Sequence, residues 1–232
     1  MSNITLAARD GGAFNAYIAM PAKTPAPTVI VIQEIFGVNE GIRKKCDWLA
    51  SEGFIAVAPD IYWRIEPDIQ LTDQTPEEWE KALDLMNRLD MEMAVEDLRA
   101  TRHAFRGHAD STGRVGAIGY CLGGKLVYLL GCQSDIDACV AYHGVGLENL
   151  LAQADNLKHP MMLQMPEEDE YVPEDAQQKI KNALAGNDFV TIHSYPGLKH
   201  AFTRYKGQNY DEAGAQLADK RTLDFLKRNL GL

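Results

Sequence analysis

Val115-Gly116-Ala117-Ile118-Gly119-Tyr120-Cys121-Leu122-Gly123-Gly124-Lys125 is the stretch on which the reading of this chain turns. An apolar, β-branched run passes into a helix-forming one through Gly119-Tyr120-Cys121-Leu122-Gly123. A strand that enters a helix this abruptly makes a sharp elbow, and the residues two before and two after its apex must be small, as Gly119 and Gly123 are. Cys121 at the apex would stand at a helix N-terminus, where backbone N–H groups and the dipole favour a thiolate. A free thiol has a pKa near ~8.5, so that help matters at neutral pH. Two other readings compete. Gly119 to Lys125 fits the first seven positions of a phosphate-binding P-loop, but Leu126 stands where Ser or Thr must hold magnesium. A buried structural cysteine in a glycine-rich turn is the plainer alternative.

Outward from the elbow, short apolar runs recur. They are Val29 to Ile32, Phe54 to Ala58, Ala138 to Tyr142, Pro160 to Met165 and Phe189 to Tyr195. Most are apolar on both faces rather than alternating, which suits strands buried in a parallel sheet. Helical stretches lie between them: Ile42 to Ser51, Thr75 to Phe105 with a break near Asp90, Gly124 to Leu130, Pro173 to Leu184, and Ala213 to Leu230. Thr75-Pro76-Glu77-Glu78 carries a capping box with proline at the first helical position. The alternation predicts an α/β protein with a mostly parallel central sheet and helices on both faces. Trp63 to Gln74 is the longest irregular stretch, and residues 1–232 read as one domain.

The chain has 232 residues, 46% of them apolar and 24% charged. That length buries roughly 70% of the unfolded surface, enough for a core without staples. The composition excludes disorder, collagen and coiled coil. A formal net charge of −10 argues against a nucleic-acid partner. The cysteines, Cys46, Cys121, Cys132 and Cys139, have neither zinc-site spacing nor the density of a disulfide scaffold. Met1 to Asp10 lacks the pattern of a leader, and no run is long enough to span a membrane. A reduced, cytoplasmic protein is the expectation.

A cysteine nucleophile needs a base, and the base needs an orienting carboxylate. On an elbow fold these follow the nucleophile in the order acid, histidine, just past later strands. Glu167-Glu168-Asp169-Glu170 follows one predicted strand and Lys199-His200-Ala201 the last. His200 is therefore the candidate base, while the pattern leaves the choice among the four carboxylates open. His143 also follows a strand and competes, with a structural turn role beside Gly144 as the alternative. His103, His108, His159 and His193 fall on a helix, its end, a strand start and a strand interior. Glu34, directly after the first long strand, must have a partner or a task. It reads equally as a residue beside the nucleophile and as an ion pair or helix cap.

Together these segments resemble the dienelactone hydrolase family of the α/β-hydrolases, from about Gly12 to Leu226. The matching stretches are Gln33-Glu34-Ile35-Phe36-Gly37-Val38-Asn39, Ala58 to Tyr62, Asp90-Met91-Glu92, Gly119 to Gly124, Tyr142 to Gly146, Asp169-x-Tyr171-Val172-Pro173 and His200-Ala201-Phe202. The resemblance implies an α/β-hydrolase fold and a Cys121–His200–Asp169 triad, the Tyr171-Val172-Pro173 match selecting Asp169. It implies that Glu34 holds the resting thiol and helps deprotonate it when an anionic substrate arrives. The N–H groups of Ile35 and Leu122 would form the oxyanion hole, and Arg204 would bind a substrate carboxylate. The implied reaction is hydrolysis of dienelactone to maleylacetate through an acyl-thioester. Trp79 and Leu83 stand where relatives carry a second carboxylate-binding arginine and a tyrosine, with Arg88 or Arg64 as candidate substitutes. Pro166 stands where glycine is usual.

The expected ligand is thus a small lactone or ester, anionic like dienelactone, so Arg204 would have to outweigh the chain's negative field. No cofactor, metal, nucleic acid or membrane partner is expected, and the chain reads as a monomer or weak dimer. The alternatives are a broad carboxylesterase and, from another class, a non-catalytic binding or redox-sensing protein using Cys121.

Overall fold

The computed structural model describes residues 3–232; Met1 and Ser2, the start of the segment read for a leader, lie outside them. The long apolar runs form β3 (Ala26–Ile32), β4 (Ile55–Pro59), β5 (Ser111–Tyr120), β6 (Ala138–Tyr142), β7 (Met161–Glu168) and β8 (Val190–Lys199). With β1 (Asn3–Ala7) and β2 (Ala13–Ala19) they make one eight-stranded sheet in the order β1-β2-β4-β3-β5-β6-β7-β8. Strands β3 to β8 pair in parallel; β1 and β2 add antiparallel at the β4 edge.

The strands look apolar throughout because both faces are covered. In β3, Val29 and Val31 face one layer while Ile30 and Ile32 face the other. The first layer is α1 (Glu40–Ser51) and α6 (Glu212–Leu230), which contribute Cys46, Leu49, Phe225 and Leu226. The second is α2 (Pro76–Arg88), α3 (Met91–Arg106), α4 (Leu122–Gln133) and α5 (Glu174–Leu184). The β1–β2 hairpin was not foreseen. In β2 buried Phe14 and Ala16 alternate with exposed Ala13 and Asn15, but the half-buried Tyr17 and Ile18 end the pattern before buried Ala19, so the alternation is short and depends on β4 for its partner.

The helix starts follow local chemistry. Asp90 ends the run from Thr75 by capping α3, its Oδ1 accepting from Glu92 and Met93 N–H at 3.0 and 3.1 Å. Thr75 caps α2 through Glu78 N–H at 3.2 Å. The expected box is only half made, because Glu78 turns instead to the N–H and hydroxyl of Thr72. No helix among the described residues is long and apolar enough to cross a membrane.

The register sets up the site. Ile32 pairs with Gly119 and Tyr120 with Tyr142, so Glu34, Cys121 and His143 leave adjacent strands side by side. Glu168 pairs with Lys199, which brings Asp169 and His200 off neighbouring strands together. At the elbow, a Cβ on Gly119 would run into the Gly123 carbonyl, and one on Gly123 into the carbonyls of Ile32 and Gln33. Those obstacles are backbone and cannot swing away. Gly123→Ala is expected to destabilise the protein by about 3 kcal/mol, the upper range for overpacking. Urea unfolding checks this, and a change under about 0.5 kcal/mol would contradict so close an approach.

Candidate active site

Cys121 sits at the N-cap of α4 with φ +55° and ψ −112°, a conformation that non-glycine residues rarely adopt. The elbow is held from behind. Cys121 N–H donates to the Tyr142 carbonyl at 3.0 Å and to His143 Nδ1 at 3.1 Å. Its side chain is nearly covered, at 9% exposure for the residue. The other three cysteines are free and buried. Cys132 lies near the far end of α4, about 16 Å along the helix and beyond disulfide reach of Cys121.

His200 Nδ1 bonds Asp169 at 2.8 Å to Oδ2 and 3.0 Å to Oδ1. The structure thus selects Asp169 from the four acids. Its Oδ1 also accepts the N–H groups of Tyr171 and Val172, at 2.9 and 3.2 Å. Aspartate can fold back on its own backbone in this way, whereas glutamate is too long. That signal was present in the sequence. Gln177 was missed: from α5 its Nε2 reaches the carbonyls of Pro166, Glu167 and Val172, pinning the loop that carries Asp169 despite the proline.

Nε2 of His200 is buried without a hydrogen-bond partner. Burial works to lower the ring's pKa, but the Asp169 bond and the nearby Cys121 sulfur outweigh it and raise the pKa to about 10. The Tyr171 ring stands edge-on to His200 at 4.8 Å. His143, the competing histidine, lies on the other side with ring centroids 4.5 Å apart. Burial drives its pKa well below 6.5, with His200 and Arg204 adding to the effect, so it is neutral. It supports the elbow and carries no orienting carboxylate bond.

The two N–H groups expected for an oxyanion follow the paired strands β3 and β5, Ile35 in the loop after β3 and Leu122 at the start of α4. Neither Ile35 nor Leu122 N–H donates to another group among the described residues. Tyr62 Oη donates to the Ile35 carbonyl at 3.2 Å and fixes that peptide.

Glu34 differs from what the resemblance implies. Both its oxygens accept from Arg204, Nε to Oε2 at 2.8 Å and Nη2 to Oε1 at 2.9 Å, and no hydrogen bond joins it to Cys121. A forked guanidinium is a far stronger donor to a carboxylate than a thiol. Arg204 is not a free cation either. Its Nη1 donates to Asp73 Oδ2 at 2.8 Å, a partner no sequence signal announced. Burial lowers the Arg204 pKa, but Glu34 and Asp73 outweigh it and push it up. One guanidinium thus serves two carboxylates, and Lys45 and Lys206 line the same hollow as Glu34, Asp73 and Arg204.

The remaining expected substrate residues divide. Trp79 packs edge-on to Phe36 with centroids 5.0 Å apart and donates from Nε1 to the Asp73 carbonyl at 3.1 Å. Leu83 is 42% exposed and shares with Trp79, Asp73 and Gln208 an open hollow of about 560 Å³. Neither candidate substitute arginine joins Arg204: Arg64 is held by Asp10 and Asp97, and Arg88 by Asp84. Among the described residues no cluster of His, Cys, Asp and Glu has metal-site geometry.

Residues 14–230 match the dienelactone hydrolase family. A carboxymethylenebutenolidase of Pseudomonas putida is 39% identical over 96% of this chain and 94% of its own. A protein of Azospirillum brasilense, provisionally assigned the same name, is 42% identical over the whole of both chains. A solved structure from Klebsiella pneumoniae, provisionally assigned as a dienelactone hydrolase, superposes with a TM-score of 0.83. It is 28% identical, with 98% of this chain and 100% of that chain covered.

The raised pKa of His200 has a consequence for stability. A group more basic folded than unfolded stabilises fully below its unfolded pKa, near 6.5, and that contribution is lost as pH rises through about 10. The urea-midpoint gap between the wild type and His200→Gln is therefore expected to be widest near pH 6.5 and to shrink towards pH 10. A gap that stayed constant or grew would contradict the protonated, Asp169-bound ring.

Proposed function

Because the chain belongs to the dienelactone hydrolase family, we propose that it is a cysteine-dependent lactone or ester hydrolase with Cys121, His200 and Asp169 as its triad. The observation that carries this reading is the His200 ring, bonded through Nδ1 to a buried carboxylate while Nε2 is unpartnered beside the Cys121 elbow. The Cys121 thiolate adds to the substrate carbonyl, forming a C–S bond and an oxyanion. Ile35 and Leu122 N–H groups receive that oxyanion, each donor worth about 3–4 kcal/mol in comparable sites. The intermediate collapses, the C–O bond breaks, and the imidazolium gives its proton to the leaving oxygen. His200, now neutral, takes a proton from water, which opens the thioester to a carboxylate and returns the sulfur.

The names of the relatives support dienelactone as substrate and maleylacetate as product, with the lactone's carboxylate drawn to Arg204. A second reading, a carboxylesterase for uncharged esters, is favoured by Asp73 already occupying Arg204 and by uncharged Trp79 and Leu83.

Cys121→Ala is expected to lower kcat for dienelactone and for p-nitrophenyl acetate by about a thousandfold or more, as losing a nucleophile does elsewhere. Retention of more than about a tenth of wild-type activity in a folded variant would sink the assignment. On the wild type, the ratio of kcat/KM for the two substrates decides between the readings.

A further inference from the structure

Arg204 carries a carboxylate on each flank, and the two are held differently. Glu34 directly follows β3 and engages the Nε–Nη2 fork. Asp73 arrives from the β4–α2 loop, 131 residues away in sequence, and engages Nη1. Asp73 is 5% exposed, and its position is built by several elements. Gln74 Nε2 donates to its Oδ1 at 2.5 Å. Trp79 Nε1 from α2 and Gln208 Nε2 from the segment after β8 both donate to its carbonyl, at 3.1 and 3.2 Å. The Trp79 ring rests on Phe36, and the Arg204 guanidinium lies 5.0 Å from the same Phe36 ring. Burial raises the Asp73 pKa, but the Arg204 contacts outweigh it and keep the carboxyl below the usual range, so it is ionised.

We propose that Asp73 is a specificity-determining residue: a tethered carboxylate in the seat a substrate carboxylate would take on Arg204, biasing this hydrolase towards esters and lactones uncharged at that position. The inference rests on the proposed function for placing Arg204 beside the substrate. A tethered group competes at a local concentration of order millimolar or above, before any benefit from preorganisation. A micromolar anionic substrate has to displace it and meets the Glu34 and Asp73 charges as it does so. Discrimination here comes from a repulsive element rather than from better contacts to the favoured substrate. Neither Arg64 nor Arg88 offsets that repulsion, since both are engaged elsewhere, and the cations sharing the hollow are the lysines Lys45 and Lys206.

The test compares kcat/KM at low ionic strength for anionic p-nitrophenyl hemisuccinate and neutral p-nitrophenyl butyrate. The proteins are the wild type, Asp73→Asn, Asp73→Glu and Gln208→Ala. The anionic-to-neutral ratio is expected to rise about tenfold in Asp73→Asn. It is expected to rise a few-fold in Gln208→Ala, an exposed change that loosens the tether and leaves every charge in place, and to stay within about twofold of wild type in Asp73→Glu. An Asp73→Asn ratio within twofold of wild type overturns the proposal, as does an equal rise in Asp73→Glu. If Asp73→Asn does not fold, the Gln208→Ala ratio decides by the same rule. Calorimetric titration with succinate reads the seat without turnover, and binding about tenfold tighter in Asp73→Asn is expected. Were the wild type to hydrolyse neither ester, the proposed reaction would fall, while Asp73 would still stand or fall on the succinate affinities.

Discussion

The close approach of α4 to the carbonyl ends of β3 and β6 is the constraint on which the rest of the site depends. Gly119, Gly123 and Gly124 leave no room for a Cβ against the backbone of residues 123, 32 and 142. With that space closed, the chain between β5 and α4 turns within one residue, and the strain falls on Cys121 at φ +55°. Strain of this kind persists only where the surroundings over-determine it. Here a parallel ladder fixes β5 on both sides, and the doubly accepted Cys121 N–H fixes the apex. The same approach that strains the elbow brings the start of α4 against the backbone of Ile32 and Gln33, two residues before Ile35. The proposed oxyanion seat and the proposed nucleophile position are thus two results of one packing decision.

Around that rigid centre the charges are arranged by burial. Desolvating a lone guanidinium or carboxylate costs several kcal/mol, so each buried ion here has a partner of opposite sign. Arg204 has two. Asp169 has His200 and two backbone N–H groups. The outcome is a site whose cation is already spent on the protein's own carboxylates, in a chain that carries a formal net charge of −10. Residue count alone would have led to the opposite arrangement, a bare arginine set against a negative surround.

What could be read from the sequence follows from how local the cause is. The elbow is legible because its glycines, apex and helix lie within seven residues, and the parallel strands because burial on both faces leaves continuous apolar runs. His200 is legible by chain order, and Asp169 carries a local mark in its bonds to the next two N–H groups but one. Asp73, Gln177 and His143 act through partners 131, 5 to 11, and 22 residues away, and no period or motif encodes those meetings. The β1–β2 hairpin escaped for a related reason: its half-buried pattern is too short to stand out without β4 beside it. Glu34 was rightly seen to need a partner, but which partner depended on Arg204 coming down from the far side of the sheet.

A base whose pKa is raised to about 10 is at first sight a poor fit for a step that needs neutral imidazole. The causes of the shift resolve this. Asp169 acts on the ring at every stage, but the Cys121 contribution lasts only while the sulfur is free to carry charge. Protonated at neutral pH, His200 begins the proposed reaction as an acid, not a base. Acylation then turns the thiolate into an uncharged thioester and delivers the ring's proton to the leaving oxygen. The support for imidazolium from sulfur vanishes at that moment, and burial, which works against the charged ring, is opposed by Asp169 alone. On the proposed mechanism the ring's affinity for a proton falls as its task changes to activating water and rises again when the sulfur is released. Serine at the elbow, with an alcohol too weakly acidic to pair with imidazolium at rest, would not drive that alternation. On the proposed mechanism the choice of cysteine and the burial of His200 belong together, since the Cys121 sulfur is one of the groups that raise the basicity of its partner.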